Sequence, residues 1–130
     1  MQITLKTIPS KEKRYETVGD WWGSFEDAQI RVCNLKNRDS EFLVLVHEMI
    51  EWYLCERKNI SDYCVRAHDE MFEEERARGL HDEYAEPGDD PRSPYFKEHH
   101  FAETVERLLA LEMGVDWRTH NELTPEGVND

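Results

Sequence analysis

His47, Glu48 and Glu51 lie within five residues, His47-Glu48-Met49-Ile50-Glu51, and every other residue from Phe42 to Cys55 is apolar. The length of this segment and its lack of helix breakers predict a helix. An apolar surface on all sides predicts that the helix is buried. Side chains step by about 100° per residue, which puts Glu51 at about 40° and Glu48 at about 100° from His47. Burying two carboxylates and an imidazole costs several kcal/mol unless they are paired or bind metal. Nothing inside the segment neutralises them. Residues at i and i+4 share a face, so His47 and Glu51 can grip one ion, with Glu48 beside it as a general base. The competing reading is a solvent-facing polar arc, because a lone His-Glu-x-x-Glu pattern also arises by chance.

Such a helix needs a framework around it. Residues 2–8 alternate apolar and polar, with Ile3 and Leu5 on one face, and predict a strand. A second strand is expected over 15–22, a turn over 23–27 and a third strand over 29–35. Together these make a small N-terminal antiparallel sheet of about three strands. The central helix is expected over 41–57, with Ser40 before it as N-cap. A second helix runs from Ser61 to about Arg78, stopped by Gly79. Residues 80–94 hold three prolines and predict a loop. A third helix spans about 95–113 and ends at Gly114. Strands followed by helices give an α+β class: the sheet packed on about three helices, as one domain over 1–117 with a polar tail over 118–130.

Composition narrows the function. The chain has 130 residues and a formal net charge of −13. Such a surface repels phosphate backbones and anionic lipid, which argues against nucleic-acid or membrane partners. A metal ion, or a protein or peptide partner, suits it better; solubility alone is the simpler account of the charge. Three cysteines without Cys-x-x-Cys spacing argue against a disulfide scaffold and a thiolate zinc knuckle. Met1–Ile8 is too polar and short to read as a signal peptide, and no apolar run reaches a membrane span. A cytoplasmic setting is therefore expected.

The run Glu41-Phe-Leu-Val-Leu-Val-His-Glu-Met-Ile-Glu51 resembles the active helix of the zincin metallopeptidases. Within that superfamily it is most similar to the small ImmA/IrrE-like and SprT-like group, in which a short sheet leads into the His-Glu helix. Residues 47–55, with Glu86-Pro-Gly-Asp-Asp-Pro91 and Glu98-His99, also resemble a group of small phage and bacterial proteins over about 2–117. The zincin resemblance implies a fold, a zinc ion, His47 and Glu51 as ligands and Glu48 as base. The usual motif ends in His, and here Glu51 stands in that place. A carboxylate is an acceptable zinc ligand, though its charge weakens the ion as a Lewis acid.

A zincin also needs a third ligand from downstream. The candidates are His68, Asp69, His81, His99, His100 and Glu106. On the third helix His99 and Glu106 share a border of the apolar face, and His99 is the choice. Two functions follow: a metal-dependent, peptidase-like hydrolase, or a non-catalytic metal-binding or protein-interaction module, such as a phage-derived inhibitor of host enzymes. An all-α pyrophosphohydrolase of the MazG type would explain Glu48-x-x-Glu51. Its second helical acidic motif is missing, because Glu86-x-x-Asp89 falls in the proline loop. Trp21, Trp22 and Phe25 read as core packing rather than site lining. The loop around Asp89-Asp90 reads as a surface connection that could also cover the site.

Overall fold

The computed structural model describes residues 1–15 and 17–125. Three strands come first: β1 (Ile3–Ile8), β2 (Gly19–Ser24) and β3 (Asp27–Cys33). Four helices follow: α1 (Arg38–Arg57), α2 (Asp62–Ala77), α3 (Phe96–Met113) and α4 (Trp117–Asn121). Short 3-10 turns lie at Ser10–Glu12 and Pro87–Asp89, the second inside the proline-rich stretch read as a loop. The chain is therefore α+β, and its sheet excludes the all-α alternative.

The sheet is mixed, not antiparallel. Its order is β1-β3-β2; β3 pairs in parallel with β1 and antiparallel with β2. Two residues, Phe25 and Glu26, close the β2–β3 hairpin. Residues 9–18 are long enough to carry the chain past the end of β3, so β2 starts on its far side and β1 ends up parallel to β3. Alternation along β3 explains its central place: Ala28, Ile30 and Val32 are all fully buried. Near the turn Gly23 has φ of +102°, and a Cβ there would lie 2.1 Å from the Asp27 carbonyl oxygen, so only glycine fits. Its own carbonyl accepts a hydrogen bond from Trp52 Nε1 at 2.9 Å, which ties the hairpin to α1.

Helix α1 starts three residues earlier than expected. Asn37, not Ser40, is the N-cap, and its side-chain oxygen accepts from Ser40 N at 3.0 Å. Ser40 is buried one turn inside. The buried positions of α1 are Ser40, Leu43, His47, Glu51, Trp52 and Cys55, whereas Phe42 is 50% exposed and Tyr53 42%. The helix is thus not buried all round: its inward stripe carries His47 and Glu51, and part of its apolar surface faces outward. That stripe packs on α3 and on the sheet. Ser61 caps α2 as expected, through Cys64 N at 3.1 Å, and Gly79 and Gly114 adopt the left-handed conformation that ends α2 and α3.

The stretch expected to be a loose tail from 118 opens instead with α4. Asp116 caps it by accepting from Thr119 N at 3.0 Å, and His120 is buried. The last residues of that expected tail, 126–130, lie outside the described part. Among the described residues no helix is long and apolar enough to cross a membrane.

Candidate metal centre

His47 and Glu51 project from the buried stripe of α1, and His99 meets them from the first turn of α3. His47 Nε2 lies 3.2 Å from Glu51 Oε2 and 3.2 Å from His99 Nδ1, and His99 Nδ1 lies 2.9 Å from Glu51 Oε2. All three side chains are nearly inaccessible, at 7%, 6% and 4% exposure. The structure therefore brings together the three residues expected as metal ligands.

Further groups fix which atoms face inward. A carboxylate can only accept, so Glu106 Oε1, 2.7 Å from His47 Nδ1, accepts a hydrogen bond from that nitrogen and leaves Nε2 facing the cluster. His99 Nε2 likewise donates outward to Asp89 Oδ1 and Glu86 Oε2, each at 3.1 Å, which turns Nδ1 inward. Glu51 Oε1 accepts from Trp21 Nε1 at 2.9 Å, leaving Oε2 for the two imidazoles. Two imidazole nitrogens and one carboxylate oxygen converge. Such a meeting of lone pairs needs protons or a cation between them.

The donor set can be tested against a metal. Zinc binds nitrogen and oxygen at about 2.0–2.1 Å in tetrahedral sites, so its ligand atoms lie about 3.3 Å apart. The observed separations of 2.9–3.2 Å are close to that spacing. Two imidazoles and one carboxylate are also a donor set that zinc accepts with a fourth position left open. The residues present fit the ion.

Glu48 follows His47 on the same helix, one turn before Glu51, and lines a cavity of about 230 Å³ that opens onto these groups. Its side chain lies over Gly19 of β2, where an added Cβ would approach Glu48 Cγ to 2.7 Å and Oε1 to 2.8 Å. Gly19 thus provides the room Glu48 occupies. Gly88 does the same for His99, whose ring a Cβ at Gly88 would meet at 2.3 Å. Side-chain ligand atoms of His47, Glu48 and Glu51, and of His47, Glu86 and His99, each fall within 4.8 Å of one another.

Electrostatics follow from burial and pairing. Burial, reinforced by the charge of Glu51, pushes Glu48 well above the usual carboxylate range. Burial would raise Glu51 too, but hydrogen bonds from His47 and His99 hold it at about 2. Burial works against charge on both imidazoles, yet their carboxylate partners raise His47 and His99 well above the ordinary histidine value. Across the cavity, burial lifts Asp69 to about 7, although it accepts a 2.6 Å hydrogen bond from the Tyr95 hydroxyl.

The other third-ligand candidates lie elsewhere. His68 Nε2 donates to the Pro87 carbonyl at 2.9 Å, and Asp69 faces Tyr95. His81 stacks on Phe72 and contacts Glu75. Glu75, His81 and Asp90 could hold an ion, but Arg92 already bridges Glu75 and Asp90 at 2.6 Å each. His100 groups with Asp89 and Glu103 toward the surface. Glu106, weighed as a ligand, stands behind His47 instead. Phe25 packs edge-on against Trp52, a core role as expected, while Trp21 is both core and site because its indole N–H holds Glu51. Sequence reasoning missed His120, which donates from Nε2 to Glu106 Oε2 at 2.5 Å. The one available signal was Asp116-x-x-Thr119, a helix-capping pattern in an otherwise polar stretch.

No protein-family model, curated protein or solved structure matches this chain.

Proposed function

We propose that this protein is a metal-dependent, peptidase-like hydrolase whose ion, zinc, is held by His47, Glu51 and His99, with Glu48 as general base. The observation that carries the reading is the convergence of His47 Nε2, His99 Nδ1 and Glu51 Oε2 within 3.2 Å of one another. When bound, such an ion polarises a carbonyl and lowers the pKa of water at its open position. The protein's own groups do the rest. Glu106 and the pair Glu86 and Asp89 hold the two imidazoles in the tautomers that point inward. Trp21 steers the Glu51 carboxylate. Glu48, beside these groups on the cavity wall, takes the proton of the attacking water and returns it to the leaving amine. Burial raises the Glu48 carboxyl, which makes its carboxylate the stronger proton acceptor for that water.

The carboxylate at position 51 lowers the charge of the centre, but with His99 as third ligand only one of the three ligands is anionic. Free thiols at Cys55 and Cys64 fit a reducing cytoplasm. A second reading, a non-catalytic metal-binding or protein-interaction module, draws support from Phe101, Leu108 and Leu111. These three are 57–78% exposed along one helix, as a protein partner would require.

Glu48→Gln separates the two. The substitution keeps shape and removes the proton acceptor. Zinc content should stay at the wild-type level while cleavage of a mixed peptide library, followed by mass spectrometry, falls about 10²–10⁴-fold. Wild-type protein loaded with zinc that cleaves no peptide, or a variant that cleaves as fast, would leave the binding module as the reading.

A further inference from the structure

We infer that His120 is a positioning residue for the metal ligand His47, acting through Glu106, so that helix α4 belongs to the centre. This rests on the proposed metal reading and adds an element that the zincin resemblance does not assign.

The geometry is a chain of three buried groups. His47 Nδ1 lies 2.7 Å from Glu106 Oε1, and Glu106 Oε2 lies 2.5 Å from His120 Nε2. Each carboxylate oxygen is committed to one imidazole, which leaves Glu106 no freedom to rotate. Its side chain is 9% exposed and that of His120 2%. The Glu106 oxygen 2.7 Å from His47 Nδ1 accepts from that nitrogen, and so directs Nε2 toward Glu51 and His99.

Packing alone does not account for His120. Its Nδ1 is buried and has no hydrogen-bond partner among the described residues, and the residue lines the cavity that opens on the centre. Burying an imidazole with an unpaired nitrogen carries a desolvation cost that an apolar side chain of similar size would avoid. The local sequence is built to deliver it. Gly114 turns the chain with φ of +70°, Asp116 caps the five-residue α4, and the Trp117 ring packs on the imidazole at 5.3 Å. Outer partners of this kind commonly set metal affinity by 10–100-fold.

His120→Leu keeps the bulk and removes the donor, whereas His120→Gln keeps an N–H within reach of Glu106. Zinc affinity measured by competition with a chelating dye should drop about 10–100-fold in the leucine variant and recover to within a few-fold of wild type in the glutamine variant. The hydrogen-bonded Nδ1–H resonance of His47, read by NMR in zinc-free protein, should be slowly exchanging in wild type and lost in His120→Leu. If His120→Leu fails to fold, His120→Asn, whose amide stands at the place of Nδ1 and short of Glu106, takes its place and should give the same two losses. Wild-type protein that binds no zinc ends the metal reading, while the Nδ1–H signal still decides this one. A folded His120→Leu protein with an unchanged His47 signal overturns it, as does unchanged zinc affinity.

Discussion

Asp69 shows how the cavity charges its own wall. Burial lifts its carboxyl from 3.8 to about 7, despite the hydrogen bond from Tyr95, and the charges of Glu51 and Asp20 push the same way. A carboxyl whose pKa is raised by folding is held protonated in the native state. Its cost is therefore absent below about pH 3.8 and grows as pH climbs to about 7. Asp69→Asn keeps an acceptor for the Tyr95 hydroxyl and cannot ionise. At pH 8 it should be more stable than wild type by roughly 2–4 kcal/mol in urea unfolding, and at pH 4 nearly equal. An equal difference at both pH values would show that Asp69 carries no such cost.

At this scale the sequence was legible where a charged side chain broke an apolar background. His47 and Glu51 stood out for that reason; His99 was chosen as a border of an apolar face of α3, but Phe101 and Leu108 of that face are exposed and the buried stripe is Glu98, His99, Ala102, Glu106 and Ala110. Glu106 was visible as a residue but not as a partner of His47, because that pairing depends on how α1 and α3 cross. His120 lay in a polar stretch where one more polar residue carried no signal, and only the fold shows it buried.

Among the elements, the 3-10 turn at Pro87–Asp89 does more than connect α2 to α3. Its Pro87 carbonyl anchors His68, its Asp89 holds His99 Nε2, and Gly88 lies flat against the His99 ring. A methyl at position 88 would reach 2.3 Å from the ring, so the imidazole or the turn must move. Gly88→Ala should therefore weaken zinc binding by about 10–100-fold, the usual range for disturbing a ligand's support. Circular dichroism should still report the helices, since Gly88 belongs to none of them. Wild-type affinity in that variant would mean that the turn does not brace His99. The proline spacing predicted a stiff surface loop over 80–94, and stiffness is what bracing requires, but spacing could not say which side chain the loop would press on.

The sheet marks a different limit. Alternation along residues 2–8 and 29–35 was enough to find β1 and β3, but the alternating face is buried only on β3: Leu5, expected on the apolar face of β1, is 48% exposed. Alternation does not encode a partner, and the parallel pairing of β1 with β3 is decided by the path of residues 9–18. The start of α1 was similarly open, because Asn37, Asp39 and Ser40 can all cap a helix and only the packing of Ser40 inside selects Asn37.

Taken as a whole molecule, the centre is where separate parts of the chain meet. Trp21 comes from β2, His47, Glu48 and Glu51 from α1, Asp89 from the 3-10 turn, His99 and Glu106 from α3, and His120 from α4. Around it stand five carboxylates, Glu48, Glu51, Glu86, Asp89 and Glu106, against three imidazoles, His47, His99 and His120. Even with every imidazole protonated the cluster stays negative when the carboxylates are ionised, in keeping with a chain of net charge −13. An ion that binds only the folded state stabilises it by mass action, about 2.7 kcal/mol at a hundred times its Kd. Chelation should thus lower the melting temperature, and readdition of zinc should restore it. His47 and His99 hold their protons above the ordinary histidine value, so zinc must displace protons from both. Its binding should therefore tighten as pH rises from 6 to 8.

Zinc binding to the purified chain, by elemental analysis followed by calorimetric titration of chelator-treated protein, tests the metal centre most directly. The expected result is one zinc per wild-type chain, lost in His47→Ala and in His99→Ala while both variants stay folded. Wild-type protein that carries no metal and takes up no added zinc would show that His47, Glu51 and His99 meet for some purpose other than holding an ion.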